Sequence, residues 1–297
     1  MGFDLGERVY LGERAFGECL VIEGLGDFSL SRTLDCGQCF RFEPSERFAG
    51  AFEGIAHGKA LLLSQSDPDE LVIYGVGEDE YRSTWRRYFS IDRDWKAIRL
   101  DISGRGQALF DAASRAGDIR ILTQDRFEAL ISFIISQCNN IPRIKGLVRA
   151  LCENYGEKIR TPDGGVGYSF PTPEAIAARP VSRLTALKVG YRDVYIHDAA
   201  RAACDGILDR ISAAECTAEA EKIVLSLNGV GRKVAACVLL FGFSRYDAFP
   251  VDVWMRRSLD KYFPGVRDMS VFGPYGGVAQ QYLFYCERYL SDKNEGV

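Results

Sequence analysis

Apolar and polar positions alternate in short runs between residues 38 and 76. Residues 39–42, 47–52, 60–64 and 71–74 read as strands, and Glu43-Pro44-Ser45 and Asp67-Pro68-Asp69 supply turn chemistry between them. From Asp79 onward the period lengthens to that of helices. Stripes over 80–89, 103–116 and 124–138 come first, a Gly/Pro-rich break follows at 160–167, and further helices are expected around 173–188, 191–203 and 216–227. The change of period predicts an α+β chain. An antiparallel β-rich domain takes residues 1–100, and a larger, two-lobed helical domain takes residues 101–297.

The densest chemistry lies in a helix-hairpin-helix pattern. A helix with Thr217 as N-cap, Glu219 and Glu221 near its positive end, and Ile223, Val224 and Leu227 as its apolar stripe runs into Gly229-Val230-Gly231. The apolar run 234–243 has the length of a second, buried helix. Two glycines permit a tight turn and bring backbone N–H groups close to an anion, while the new helix N-terminus adds partial positive charge. Such a turn holds a phosphate without reading sequence. Lys233 falls in the first turn of the second helix, where the dipole disfavours a further positive charge and favours the neutral, nucleophilic amine. Asp252 follows Pro250-Val251 and precedes Val253-Trp254-Met255-Arg256-Arg257, so it can cap another helix with its carboxylate toward the lysine. On these residues alone, a solvated surface lysine, a plain helix cap and a simple glycine turn remain open readings.

Residues 227–255 resemble the helix-hairpin-helix Gly/Pro-Asp superfamily of DNA glycosylases, and within it the 8-oxoguanine DNA glycosylase/lyase family. Three further segments are similar to the same family. Cys36-Gly37-Gln38-Cys39-Phe40-Arg41 matches an N-terminal element, residues 132–143 an Asn-rich helix end, and residues 273–284 a C-terminal base-pocket helix. The resemblance runs over nearly the whole chain, and four motifs in order are far more specific than a glycine hairpin.

The resemblance implies a bifunctional DNA glycosylase and lyase that excises 8-oxoguanine from duplex DNA after the nucleotide leaves the stack. Lys233 is then the nucleophile that forms a Schiff base at C1′, from which β-elimination nicks the strand, and Asp252 stabilises positive charge on the sugar. The implied base pocket is Gly37, Cys237, Pro250, Gln280 and Phe284. Phe284 stacks on the purine, the Cys237 side bounds its other face, and Gln280, one helical turn earlier, bonds the Watson–Crick edge. The Gly37 carbonyl accepts from N7–H, which the lesion carries and guanine lacks. Asn139, Asn140, Arg143, Tyr191, Arg192, Gly229 and Gly231 are implied on the DNA side, with Tyr191 as an aromatic wedge and Arg143 and Arg192 toward the cytosine left behind. In relatives, carbonyls matching those of Leu225, Leu227 and Val230 hold a structural cation when DNA is bound. One departure is Cys138, which stands where the family pattern has a third Asn. Two other functions compete: a monofunctional alkylated-base glycosylase, which needs Asp252 but no lysine at 233, and a non-catalytic helix-hairpin-helix DNA-binding protein, which needs neither.

With 297 residues, 47% of them hydrophobic and 26% charged, the chain can bury a full core. No apolar run approaches the roughly eighteen residues of a membrane span. The first residues lack the basic start and apolar core of a signal peptide, so the expected compartment is the cytoplasm, at a bacterial nucleoid, or a eukaryotic nucleus. Nine scattered cysteines suit a reducing compartment. Cys36 and Cys39 form half of a zinc pattern, but only His57 and His197 exist and no second cysteine pair does. Cys286 stands alone near the C-terminus where an iron–sulfur loop would need four cysteines, so no cofactor is expected. The net charge of −4 argues against a protein that coats DNA. Its distribution matters more: residues 1–101 carry 12 basic and 19 acidic side chains, and residues 102–297 carry 25 and 22. The DNA face is therefore expected on the second part, among Arg143, Lys145, Arg149, Arg183, Lys188, Arg192, Arg256 and Arg257. The expected partner is duplex DNA containing 8-oxoguanine, with no membrane, and the protein is expected to act as a monomer.

Overall fold

The structure, a computed structural model, describes residues 6–162 and 164–290. Its N-terminal part holds six strands: β1 Arg8–Arg14, β2 Gly17–Glu23, β3 Phe42–Pro44, β4 Ala51–Ala56, β5 Lys59–Ser64 and β6 Glu70–Tyr74. They form one antiparallel sheet in the order β1-β2-β6-β5-β4-β3, with Val21 opposite Val72 and Leu63 opposite Ile73. The sheet thus begins well before the alternating region. Cys19, Leu20, Val21 and Ile22 of β2 are all buried, so this strand reads as a continuous apolar run and shows no alternation.

Residues 39–42 do not form the strand that their alternation suggested. Gln38 draws the segment inward: its Nε2 donates to the carbonyls of Thr33 and Arg120, both at 2.8 Å, and its Oε1 accepts from the Leu122 N–H at 2.8 Å. Edge pairing starts only at Phe42. The chain crosses between two cores here. Phe40 and Cys36 pack with the helices, whereas Leu122 packs with the sheet.

The helix expected over 103–116 starts later, as Gln107–Ala116 with Gly106 at its N-cap in a φ of +127°. A separate helix, Trp95–Ser103, precedes it and is capped by Asp94, which accepts from the Ala97 N–H at 2.9 Å. The stretch 173–188 is divided into Pro173–Ala177 and Val181–Thr185, with Pro180 between them. The break at 160–167 contains most of a small hairpin of β7 Lys158–Arg160 and β8 Val166–Tyr168. Thr217 is not a cap: Cys216 holds that position before the Thr217–Leu225 helix, and the Thr217 hydroxyl donates to Asp247 at 2.6 Å. None of the helices described is long and apolar enough to cross a membrane.

The pairing that builds the site is between the Arg126–Ile135 and Arg232–Phe243 helices. Ala129 faces Gly242, where an added Cβ would come within 3.0 Å, and Phe133 stacks on Phe241 with ring centroids 5.3 Å apart. This close approach carries Phe133 and the following Ser136 alongside the first turn of the second helix.

Candidate active site

The Thr217–Leu225 helix runs into the hairpin, and Gly229 turns the chain with φ +74°. A Cβ on Gly229 would lie 2.3 Å from the Tyr195 ring, so conformation and space both demand glycine. Gly231 then occupies the N-cap of Arg232–Phe243 and offers no side-chain acceptor to the first-turn N–H groups. These donors sit at the positive end of a buried helix. They suit a phosphate oxygen.

Lys233 projects from that first turn into a cavity of about 460 Å³ that Asp252 also lines. Its Nζ donates to the Ser136 hydroxyl at 3.1 Å and lies 5.4 Å from the centroid of the Phe133 ring. Asp252 is the N-cap of Val253–Tyr262, and its Oδ1 accepts from the Met255 N–H at 2.8 Å. The lysine and the aspartate share the cavity without forming an ion pair. Cys237, one turn after Lys233, is buried, which pushes its thiol up; the nearby Lys233 charge pulls in the opposite direction.

The opposite wall comes from the Gly276–Tyr285 helix and the Gly37 loop. Gln280 is buried, and among the described residues its Oε1 has no hydrogen-bond partner. A buried carbonyl oxygen in that condition costs stability unless something fills it, so the cavity is built for a ligand that donates there. Phe284 lies on the same helix face, and Pro250 and Cys237 complete the walls. Gly37 has φ +80°, and a Cβ there would sit 3.9 Å from Phe284. Its loop is fixed from two sides. Gln281 donates to the Cys36 carbonyl at 2.8 Å, and the Gln38 bonds anchor the following residue. Burial pushes the Cys36 thiol up to about 12, so it serves the loop as a neutral packing group. Among the described residues, no group of three or more His, Cys, Asp or Glu side chains is placed to hold a metal ion.

Beside the cavity mouth lies a second cluster of expected residues. Cys138 is exposed with φ +51°, Asn139 donates to the Ile135 carbonyl at 2.7 Å, and Asn140 caps Ile141–Tyr155 by accepting from the Arg143 N–H at 3.0 Å. Tyr191 is 53% exposed, and a hydrogen bond with the Cys138 thiol raises its phenol above the ordinary range. Arg143 is exposed and reaches the Lys188 carbonyl at 3.4 Å. Arg192 behaves differently. It is buried, donates to the carbonyls of Val189, at 3.0 Å, and Gln137, and stacks under Tyr191 with its guanidinium carbon 4.4 Å from the ring centroid. In this arrangement it ties the Cys138 turn to the Tyr191 loop. Leu225 ends its helix, and the Leu227 carbonyl accepts from the Val230 N–H at 3.2 Å.

Ser136, Phe133 and Gln281 lie inside the segments 132–143 and 273–284 that carry the resemblance, but nothing in the sequence assigned them a role. Each acts through a contact distant along the chain, so no local spacing could have marked it.

Comparison with known proteins decides the family. The model of the 8-oxoguanine DNA glycosylase N-terminal domain matches residues 21–130, and that of the HhH-GPD superfamily of base excision DNA repair proteins matches residues 131–268. The N-glycosylase/DNA lyase of Saccharomyces cerevisiae is 32% identical over 253 residues, which cover 78% of this chain and 67% of that protein. The chain belongs to the 8-oxoguanine DNA glycosylase family of the HhH-GPD superfamily. It superposes on the Clostridium acetobutylicum 8-oxoguanine glycosylase/lyase, crystallised with double-stranded DNA containing cytosine opposite the lesion. That match has a TM-score of 0.86 and 31% identity and covers 99% of this chain and all of the other. The 3-methyladenine DNA glycosylase of Archaeoglobus fulgidus shares the fold at a TM-score of 0.67 and 21% identity, covering 82% of this chain and 89% of that one.

Proposed function

We propose that this protein is a bifunctional 8-oxoguanine DNA glycosylase and lyase, acting as a monomer on duplex DNA. One observation carries the reading. A single cavity holds a lysine amine without a carboxylate partner, a carboxylate at a helix N-terminus, and a buried glutamine oxygen waiting for a donor. A binding module needs none of these together, and a water-using glycosylase needs no lysine there.

The hairpin N–H groups and the helix N-terminus grip a backbone phosphate while the damaged nucleotide swings into the cavity. Gln280 accepts from the purine's Watson–Crick edge, Phe284 packs on its face, and the Gly37 carbonyl accepts from N7–H. The Lys233 amine, held by Ser136, gives its lone pair to C1′ as the C1′–N9 bond breaks, and the electron pair leaves with the base, which takes up a proton. Charge develops on the sugar in that step. The Asp252 carboxylate, which lines the same cavity, stabilises it. Opening of the sugar ring leaves a protonated imine on Lys233. Loss of a C2′ proton then drives out the 3′ phosphate, and hydrolysis of the imine frees the lysine. A structural cation, if DNA brings one, would rest on the carbonyls of Leu225, Leu227 and Val230 and offset phosphate charge. The protein's work would lie with chromosomal DNA, at a nucleoid or in a nucleus.

Borohydride reduces the imine to a stable amine, so it tests the reading directly. It should trap this protein on a duplex carrying 8-oxoguanine, and Lys233→Gln should abolish trapping while DNA binding persists. Undiminished trapping in that variant would move the nucleophile elsewhere.

A further inference from the structure

Arg288 is a cation in the cleft that the reaction above does not use. It follows Phe284 by one turn, in the π-helical stretch Cys286–Leu290, a geometry that recurs at functional sites. Its guanidinium carbon lies 5.6 Å from the centroid of Phe284 and 5.5 Å from that of Tyr289, and it lines the same cavity as Lys233, Gln280 and Gly37. Among the described residues, no carboxylate lies within ion-pair distance of it and no acceptor takes its donors. Its neighbour Glu287 is engaged by the Tyr262 hydroxyl at 2.7 Å and by Lys261 at 3.5 Å. Two aromatic rings therefore hold a charged, forked donor whose hydrogen bonds are left for a ligand.

The order along the helix tells which part of a ligand it meets. Gln280, Phe284 and Arg288 follow at four-residue steps, each about 6 Å of helix rise. A purine with its Watson–Crick edge at Gln280 and its face on Phe284 directs its imidazole edge toward Arg288; this step rests on the base pocket proposed above. On that edge the lesion differs from guanine at two adjacent atoms, a hydrogen on N7 and an oxygen on C8. The Gly37 carbonyl suits the first.

We propose that Arg288 reads the second, donating to the C8 oxygen of the extruded base. Guanine presents C–H at that point, which offers the guanidinium no acceptor. Acceptor and donor on the protein would thus match donor and acceptor on the lesion, so that two adjacent atoms of the imidazole edge are read together. A backbone phosphate is the competing acceptor, and the two differ in which duplexes they affect.

The test measures binding in a Lys233→Gln background, which cannot react, to duplexes carrying 8-oxoguanine, guanine or a tetrahydrofuran abasic analogue at one salt concentration. Adding Arg288→Met should weaken the 8-oxoguanine duplex roughly tenfold or more, the range for a hydrogen bond to a charged group, and shift the guanine and abasic duplexes less than twofold. Retained abasic binding also reports an intact fold. Arg288→Lys should recover part of the loss. Equal weakening of all three duplexes, with a shallower salt dependence, would assign Arg288 to a phosphate and overturn the proposal. Unchanged binding of all three would reduce it to a shield over Phe284. If the Lys233→Gln protein itself fails to prefer 8-oxoguanine over guanine, the underlying pocket reading falls, and this assignment with it.

Discussion

The Lys233 amine donates to the hydroxyl of Ser136 at 3.1 Å, across 97 residues of sequence. That hydroxyl in turn donates to the Phe133 carbonyl at 2.8 Å, so its lone pairs are turned toward the amine. A flexible lysine side chain is thereby held in one place before substrate arrives. Ser136→Ala should slow single-turnover excision about tenfold, the scale of one positioning hydrogen bond, while affinity for an abasic-analogue duplex stays constant. A loss of affinity with an unchanged rate would make Ser136 a DNA contact instead.

Asp252 has two roles that substitution separates. Its side chain caps Val253–Tyr262, and an asparagine can make the same hydrogen bond to the Met255 N–H. Asp252→Asn should therefore keep the melting temperature but cut excision by roughly 10²–10⁴-fold, because the charge near the sugar is gone. Asp252→Ala should lose both, with a further stability cost of about 1 kcal/mol. Equal single-turnover rates for wild type and Asp252→Asn would leave only the cap.

These two residues also show what the chain discloses locally. Lys233, Asp252 and the hairpin glycines sit in one segment, and Gln280 and Phe284 share a helix face by their spacing alone. Ser136 and Gln281 gain their meaning from partners far along the chain, Lys233 and the Cys36 carbonyl. The second strand was hidden for another reason. β2 lies inside the sheet between β1 and β6 with residues 19–22 all buried, so its side chains carry no alternation to read. Alternation misled at residues 39–42, where Gln38 bonds to the far side of the domain junction override strand propensity.

The junction contains a buried carboxyl with a pH signature. Burial raises Glu128 to about 7, partly offset by Arg41 at 3.5 Å, whose guanidinium also donates to the Tyr168 carbonyl. In the unfolded chain a glutamate titrates near 4.3. Between about pH 4.5 and 7 the folded state thus keeps a proton that the unfolded state has released, and stability falls as pH rises through that window. Above it the penalty is complete and constant. Glu128→Gln should flatten this dependence, narrowing the stability difference between pH 5 and pH 7.5 by on the order of 1–3 kcal/mol in urea unfolding. An identical slope in variant and wild type would assign the titration to other groups.

Cys138 is the chain's departure from the family pattern at the DNA face, and its backbone makes the reverse change informative. It adopts φ +51°, a conformation that asparagine enters more readily than cysteine, so Cys138→Asn should fold at least as stably. The thiol now lies beside the Tyr191 phenol, whereas an asparagine amide could also reach the base left in the stack and fill more of the gap behind the extruded nucleotide. Arg143 is exposed beside it and offers a guanidinium to cytosine acceptors, but Arg192 is buried with both terminal nitrogens on the carbonyls of Val189 and Gln137, which leaves only its Nε without a partner among the described residues. The protein should therefore prefer cytosine over adenine opposite the lesion only moderately, and Cys138→Asn should widen that preference severalfold, since one added hydrogen bond is worth about 1 kcal/mol. Single-turnover excision on the two duplexes at one fixed salt concentration measures the ratio, and the salt must be held because phosphate contacts dominate affinity. An unchanged ratio would mean that position 138 serves only to pack against Tyr191 and that the arginine alone sets the choice of partner base.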